Sequence, residues 1–184
     1  AINTVANSIQ NENTATSNLV TSDCKIVSFV GTSKNGTSFL VNNLAVLLSN
    51  KGIKTAILDL TKNKNYKVII NAGDISGVKS FRCIDGLRSG VADGIQVSKN
   101  LTVYTTLPGE NPSIDDYENI LDTLSKNYSL VLLDCDFDTN FNYFAESHEI
   151  YLVQTYDILT IQPLTAFLNE LKYKNILNPN KLRI

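Results

Sequence analysis

Short apolar runs alternate along this chain with segments whose apolar residues recur at three- and four-residue intervals. The runs predict strands at residues 25–30, 55–60, 101–106, 128–134 and 149–153. The periodic segments predict helices. Residues 37–50 are apolar nearly all round, so this helix is expected to be buried on most sides. Lys51 and Gly52 end it, a cation in the last turn and a glycine at the cap. Val78, Phe81, Ile84 and Leu87 place a helix across 76–89. Ser113 is the expected N-cap of the next, with Asp115 and Asp116 in its first turn and Ile114, Tyr117, Ile120, Leu121 and Leu124 on its core face. Ile161, Leu164, Phe167, Leu168 and Leu171 mark a last helix, with Pro163 in its first turn, where a missing N–H is tolerated. Residues 61–77 read as polar and irregular, and 107–112 as a turn.

Two continuously apolar strands joined by a helix make a βαβ unit, which argues a parallel sheet with right-handed crossovers. The whole rhythm predicts an α/β domain. It is a doubly wound, mainly parallel sheet with helices on both faces, three-layered, its site at the carboxyl ends of the strands. A length of 184 residues suits one such domain. Residues 1–23 are Asn, Thr, Ser and Ala with almost no charge and read as a polar linker or tail, with Ile2, Val5 and Ile9 marking one side of a short helix. Residues 24–184 form the domain. The absence of methionine suggests an excised piece, and the end at 181–184 resembles a strand cut short.

Charge and cysteine content narrow the function. A net charge of −2 gives no overall footprint for nucleic acid. No apolar run approaches the roughly 20 residues that span a bilayer. Cys24, Cys83 and Cys135 are odd in number and lack C-x-x-C spacing, so they read as reduced core thiols of a cytoplasmic protein. The single His148 cannot anchor a His-rich metal cluster. Thirteen lysines against three arginines, with abundant Asn and Ile, hint at an AT-rich bacterial genome.

The candidate chemistry lies between the first strand and its helix. Gly31, Thr32, Ser33, Lys34, Asn35, Gly36, Thr37 and Ser38 follow the phosphate-cradling pattern G-x-x-x-x-G-K-[ST], with Thr37 where lysine belongs. Loop amides and the helix dipole would face the phosphates of ATP. Ser38 stands where a hydroxyl ligates Mg2+, and Asp134, after Leu-Val-Leu-Leu, is the acid that would hold the metal's water shell. Asp59 ends the second strand at the same edge. Lys34 is the candidate substitute cation. The run Asp134-Cys-Asp136-Phe-Asp138 fails as a calcium loop, because its sixth position is Thr139 and its twelfth Ala145. Asp136 and Asp138 suit a switch-like loop.

On these residues, with Asn43-Leu-Ala, the stretch Gly52-Ile-Lys-Thr-Ala-Ile-Leu-Asp59 and the strand Ile150-Tyr-Leu-Val, the chain resembles the deviant-Walker ATPases of the ParA/MinD family from about residue 25 to 184. The resemblance implies a dimeric ATP-binding switch serving a positioning, secretion or pilus machine. It implies a lysine at Thr32 reaching across the dimer, a lysine at Thr37, and a second acid at Thr61 orienting the attacking water. With threonine at all three places, several kcal/mol of barrier lowering are missing at each cation, so hydrolysis is expected to be weak or absent. The Gly-Thr-Ser ending resembles the TadZ/CpaE branch. The segment 100–113 is similar to the bacterial tyrosine kinases on the same fold, though the paired acids are incomplete and no tyrosine cluster ends the chain. Three readings therefore stand: a homodimerising ATP–Mg2+ switch, a pseudo-ATPase scaffold without nucleotide, and a phosphotransferase.

Overall fold

A computed structural model describes residues 24–32, 34–64, 66, 82–106, 114–155 and 157–184. Seven strands form one sheet: β1 (Lys25–Gly31), β2 (Thr55–Asp59), β3 (Ile95–Ser98), β4 (Leu101–Tyr104), β5 (Leu130–Cys135), β6 (Glu149–Val153) and β7 (Leu182–Arg183), in the order β3-β4-β2-β5-β1-β6-β7. Every neighbouring pair is parallel except β3 with β4. The helices are α1 (Thr37–Asn50), α2 (Cys83–Arg88), α3 (Tyr117–Asn127), α4 (Phe141–Glu146) and α5 (Ile158–Tyr173).

Side chains alternate across each strand, so both faces of an internal strand can be buried only if both are covered. In β5, Val131, Leu133 and Cys135 enter one core while Leu130 and Leu132 enter the other. The first core takes Ile84 and Leu87 of α2, Ile120 and Leu124 of α3, Tyr143 and Phe144 of α4, and Phe167 and Leu171 of α5. The second takes Val41 and Ala45 of α1. Sheet and two helical layers give the expected three-layer α/β/α domain.

Several local expectations need correcting. α1 is not buried on most sides: it packs through Thr37, Val41, Ala45 and Ser49, and leaves Phe39, Leu40, Val46 and Leu47 exposed. One sheet face can cover only one stripe of a helix, however apolar the rest. Lys51 is the C-cap rather than a last-turn residue, and Gly52 follows at φ 89. α3 begins at Tyr117, so Asp115 and Asp116 precede it; Asp116 is the N-cap and turns its carboxylate to Asn119 Nδ2 at 2.9 and 3.0 Å. α5 starts at Ile158, capped by Asp157, which accepts from the Leu159 amide at 2.9 Å; Pro163 therefore lies in the second turn, and Ile161 is exposed rather than core. β3 and α4 were not anticipated. β3 buries only Ile95, too little to show a period, and α4 is a single short turn-and-a-half. Cys24 is half-buried, while Cys83 and Cys135 are core; all three are free thiols. The linker 1–23, Val78 and Phe81, and the turn and N-cap expected within 107–113 lie outside the described residues.

Candidate functional site

Three loops leave the carboxyl ends of β1, β2 and β5 and enclose a cavity of about 700 Å³. That is the size range of a small-molecule site. Its first wall is the loop into α1. Gly31 is paired with Val153 of β6, and a methyl group added there would meet the Thr37 hydroxyl, the Val153 carbonyl oxygen at 2.8 Å and Asn35 Nδ2 at 2.9 Å. Only glycine admits that approach. Thr37 Oγ1 donates to Asn35 Oδ1 at 3.0 Å, and Asn35 Nδ2 donates to the Val153 carbonyl at 2.5 Å, so the loop is pinned from below. Lys34 and Gly36 adopt left-handed backbone, φ 71 and 86. Alternating left-handed residues are the backbone pattern of anion nests; here the Asn35 amide between them donates to the Thr32 carbonyl at 3.4 Å. Gly36 caps α1 without a side-chain hydrogen bond, and no acid occupies the first turn, so the helix's leading amides carry no competing anion.

The second wall carries acids. Asp134 and Asp59 are register partners on adjacent strands, and both are fully buried. Asp59 is satisfied by protein: Oδ1 accepts from the Thr61 amide at 3.1 Å and the Thr61 hydroxyl at 2.6 Å, and Oδ2 from Thr105 Oγ1 at 2.7 Å. Neither oxygen of Asp134 has a hydrogen-bond partner among the described residues. Burial pushes Asp134 up to about 7; the neighbouring Ser38 hydroxyl, and then Tyr66, pull against the rise, while Asp59 and Asp136 add to it. Asp136 is occupied as a staple between loops, accepting from the Lys62 amide at 3.0 Å, the Asp138 amide at 3.1 Å and Thr139 Oγ1 at 3.3 Å. Lys62 Nζ pairs with Asp138.

Two residues of the segment after β2 are buried against these groups without lining the cavity. Lys64, held at φ 48 with a side chain 7% exposed, donates from Nζ to the Asp59 carbonyl at 2.7 Å. Tyr66 is fully buried and donates to the Ser38 carbonyl at 3.3 Å.

No family model matches the chain, and no curated protein matches it. Solved structures do. A plasmid partition protein from Borrelia burgdorferi B31 bound to AMPPNP aligns over 85% of this chain and 73% of its own, with a TM-score of 0.68 at 18% identity. The MinC:MinD cell division complex of Aquifex aeolicus gives 0.66 at 15% identity, over 84% and 66% of the two chains. A ParA family ATPase from Chlorobium tepidum TLS gives 0.60 at 14% identity, over 87% and 72%. The chain shares the three-layer α/β fold of these proteins.

On this fold, Gly31, Thr32, Lys34, Gly36, Thr37, Ser38 and Asp134 come together on the cavity wall. Asn35 points beneath the loop, and Asp59 lies under the floor rather than in the lining. Ser33 lies outside the described residues. Lys34 lines the cavity and is exposed. Sequence reasoning missed Lys64, Tyr66 and Thr105. The first two sit in a polar stretch without periodicity, and nothing in their spacing marks them as buried. Thr105 has a weak signal, a hydroxyl just past a strand whose neighbour ends in an acid.

Proposed function

We propose that this chain is a ParA/MinD-like domain that grips ATP through main-chain amides of residues 31–38 and uses the bound state as a dimerising switch or localisation factor, with weak or no hydrolysis. The observation that carries this reading is the pairing of left-handed backbone at Lys34 and Gly36, in the loop on the cavity wall, with a buried Asp134 carboxylate beside the Ser38 hydroxyl. A buried carboxylate without a partner costs several kcal/mol unless something is meant to meet it. Ser38 and Asp134 are the residues that would hold Mg2+ and its waters; the ion supplies charge neutralisation at the phosphates. The Borrelia protein on the same fold holds AMPPNP, which agrees with this use of the cavity.

Weak turnover follows from side chains. Thr32 and Thr37 bring no charge to a phosphoryl group, and Thr61 spends its hydroxyl on Asp59. Titration calorimetry with ATP and Mg2+ is expected to give saturable one-site heat, and a hydrolysis assay on the same sample little or no phosphate. Absence of heat at millimolar nucleotide would remove the reading. A nucleotide-free scaffold is the second reading, favoured by the Thr37–Asn35–Val153 chain, which holds the loop without any ligand. The homodimer and the machine partner are part of the proposal, as is a cytoplasmic location. Among the described residues no helix is long and apolar enough to cross a membrane.

A further inference from the structure

Lys64 is a cation in a place that excludes water. Its Nζ donates to the Asp59 carbonyl at 2.7 Å and stands 4.0 Å from Asp59 Oδ1, and its backbone is held in the left-handed region. An ammonium is buried at a cost of several kcal/mol unless opposite charge surrounds it. Here burial pulls its pKa below the usual lysine range, and Asp59, Asp136 and Asp134 oppose that pull. Asp59 does not need this ammonium for its hydrogen bonds, since Thr61 and Thr105 already fill both carboxylate oxygens. The ammonium gives Asp134 no hydrogen bond either. What it adds is one fixed positive charge under a cavity lined by Asp134, Asp136 and Asp138, where Lys62 is already committed to Asp138. That charge adds to Lys34, the exposed loop cation on the same cavity wall, in offsetting the acids a polyphosphate would meet there.

We propose that Lys64 is the resident cation of this site, a positioning residue that offsets the Asp59–Asp134 pair from below and lets a nucleotide polyphosphate bind with only a weak requirement for a divalent ion. The inference rests on the nucleotide-binding reading. The positions that would bring a cation from above, Thr32 and Thr37, are uncharged. Lys64 comes instead from the segment after β2, fixed to the end of that strand by its own ammonium. Mg2+ at Ser38 and Asp134 then adds to a charge already in place.

The test uses the full chain and an ATP analogue carrying a fluorescent N-methylanthraniloyl group, titrated with Mg2+ or with EDTA. Wild type is expected to lose less than about tenfold in affinity on removing the metal, and Lys64→Met at least about tenfold more, because a nearby unit charge is worth that much even at an effective dielectric of about 20. With Mg2+ present, Lys64→Met binds within about threefold of wild type, and Lys64→Arg restores metal-free binding. A merely structural role would lower both affinities together, and that result overturns the proposal. So does a loss of more than about a hundredfold in wild type on adding EDTA, which decides the matter even where Lys64→Met fails to fold. Binding in neither buffer overturns the nucleotide reading itself, and the inference with it.

Discussion

Asp59 and Asp134 stand side by side at the ends of β2 and β5, and the three hydrogen bonds that Asp59 accepts separate their fates. Thr61 and Thr105 fill both oxygens of Asp59, while the Ser38 and Tyr66 hydroxyls near Asp134 only oppose the rise that burial causes. The native Asp134 carboxyl takes up its proton near pH 7, and the unfolded one near 3.8. Between those values the native state binds more protons than the unfolded state, so stability falls as pH rises through this window. The full span corresponds to roughly 4 kcal/mol as an upper bound. Asp134→Asn should therefore be more stable than wild type at pH 8, equal to it near pH 4, and flat in between, read by urea denaturation at several pH values. Its nucleotide binding should lose Mg2+ dependence. Gly31→Ala works in the opposite sense: the added methyl meets Thr37, Val153 and Asn35, so it should cost about 1–3 kcal/mol and abolish nucleotide binding, measured by denaturation and calorimetry. Thr37→Lys places a cation where the loop pattern expects one, and should tighten ATP binding by about tenfold or more, the worth of one charge-assisted contact.

At the scale of elements, α1 and α5 show what a linear pattern can and cannot hold. The bounds of α1 were legible to the residue, because the small-residue loop before it and Lys51-Gly52 after it are punctuation with a mechanism. Its burial was not. The sequence says that residues 39, 40, 46 and 47 are apolar, not how many faces of the sheet will meet them. In α5, Pro163 hides in a run that looks like a first turn, yet Asp157 supplies a cap six residues earlier. Pro163 thus removes the N–H that would reach the Leu159 carbonyl. Pro163→Ala should raise stability by about 1–3 kcal/mol, visible as a higher midpoint in thermal or urea unfolding. Two glycines and a hydroxyl mark loop 31–38 as a candidate phosphate cradle in the sequence, and the structure brings that loop to the cavity wall. The buried Lys64 and Tyr66 were not legible, because their burial is imposed by Asp59, Asp134 and Ser38, all distant in sequence or on other elements.

For the molecule as a whole, the central strands β2, β5 and β1 fix the site. Their parallel register sets Phe29 beside Asp134 and Asp134 beside Asp59, and it delivers all three loops to one edge. Nucleotide that binds only the folded chain stabilises it by mass action, about 2.7 kcal/mol at a ligand concentration a hundred times Kd. The melting temperature should rise with ATP in proportion to the logarithm of its concentration. The central claim is narrower: main-chain amides between Gly31 and Ser38 hold the phosphates. Backbone amide chemical shifts of the isotope-labelled chain, recorded while ATP and Mg2+ are added, test it most directly. The account predicts large, saturable shifts at Gly31, Thr32, Lys34, Gly36, Thr37 and Ser38, with smaller ones at Asp134. Unmoved amides across that loop at saturating nucleotide, with or without shifts elsewhere, would contradict it.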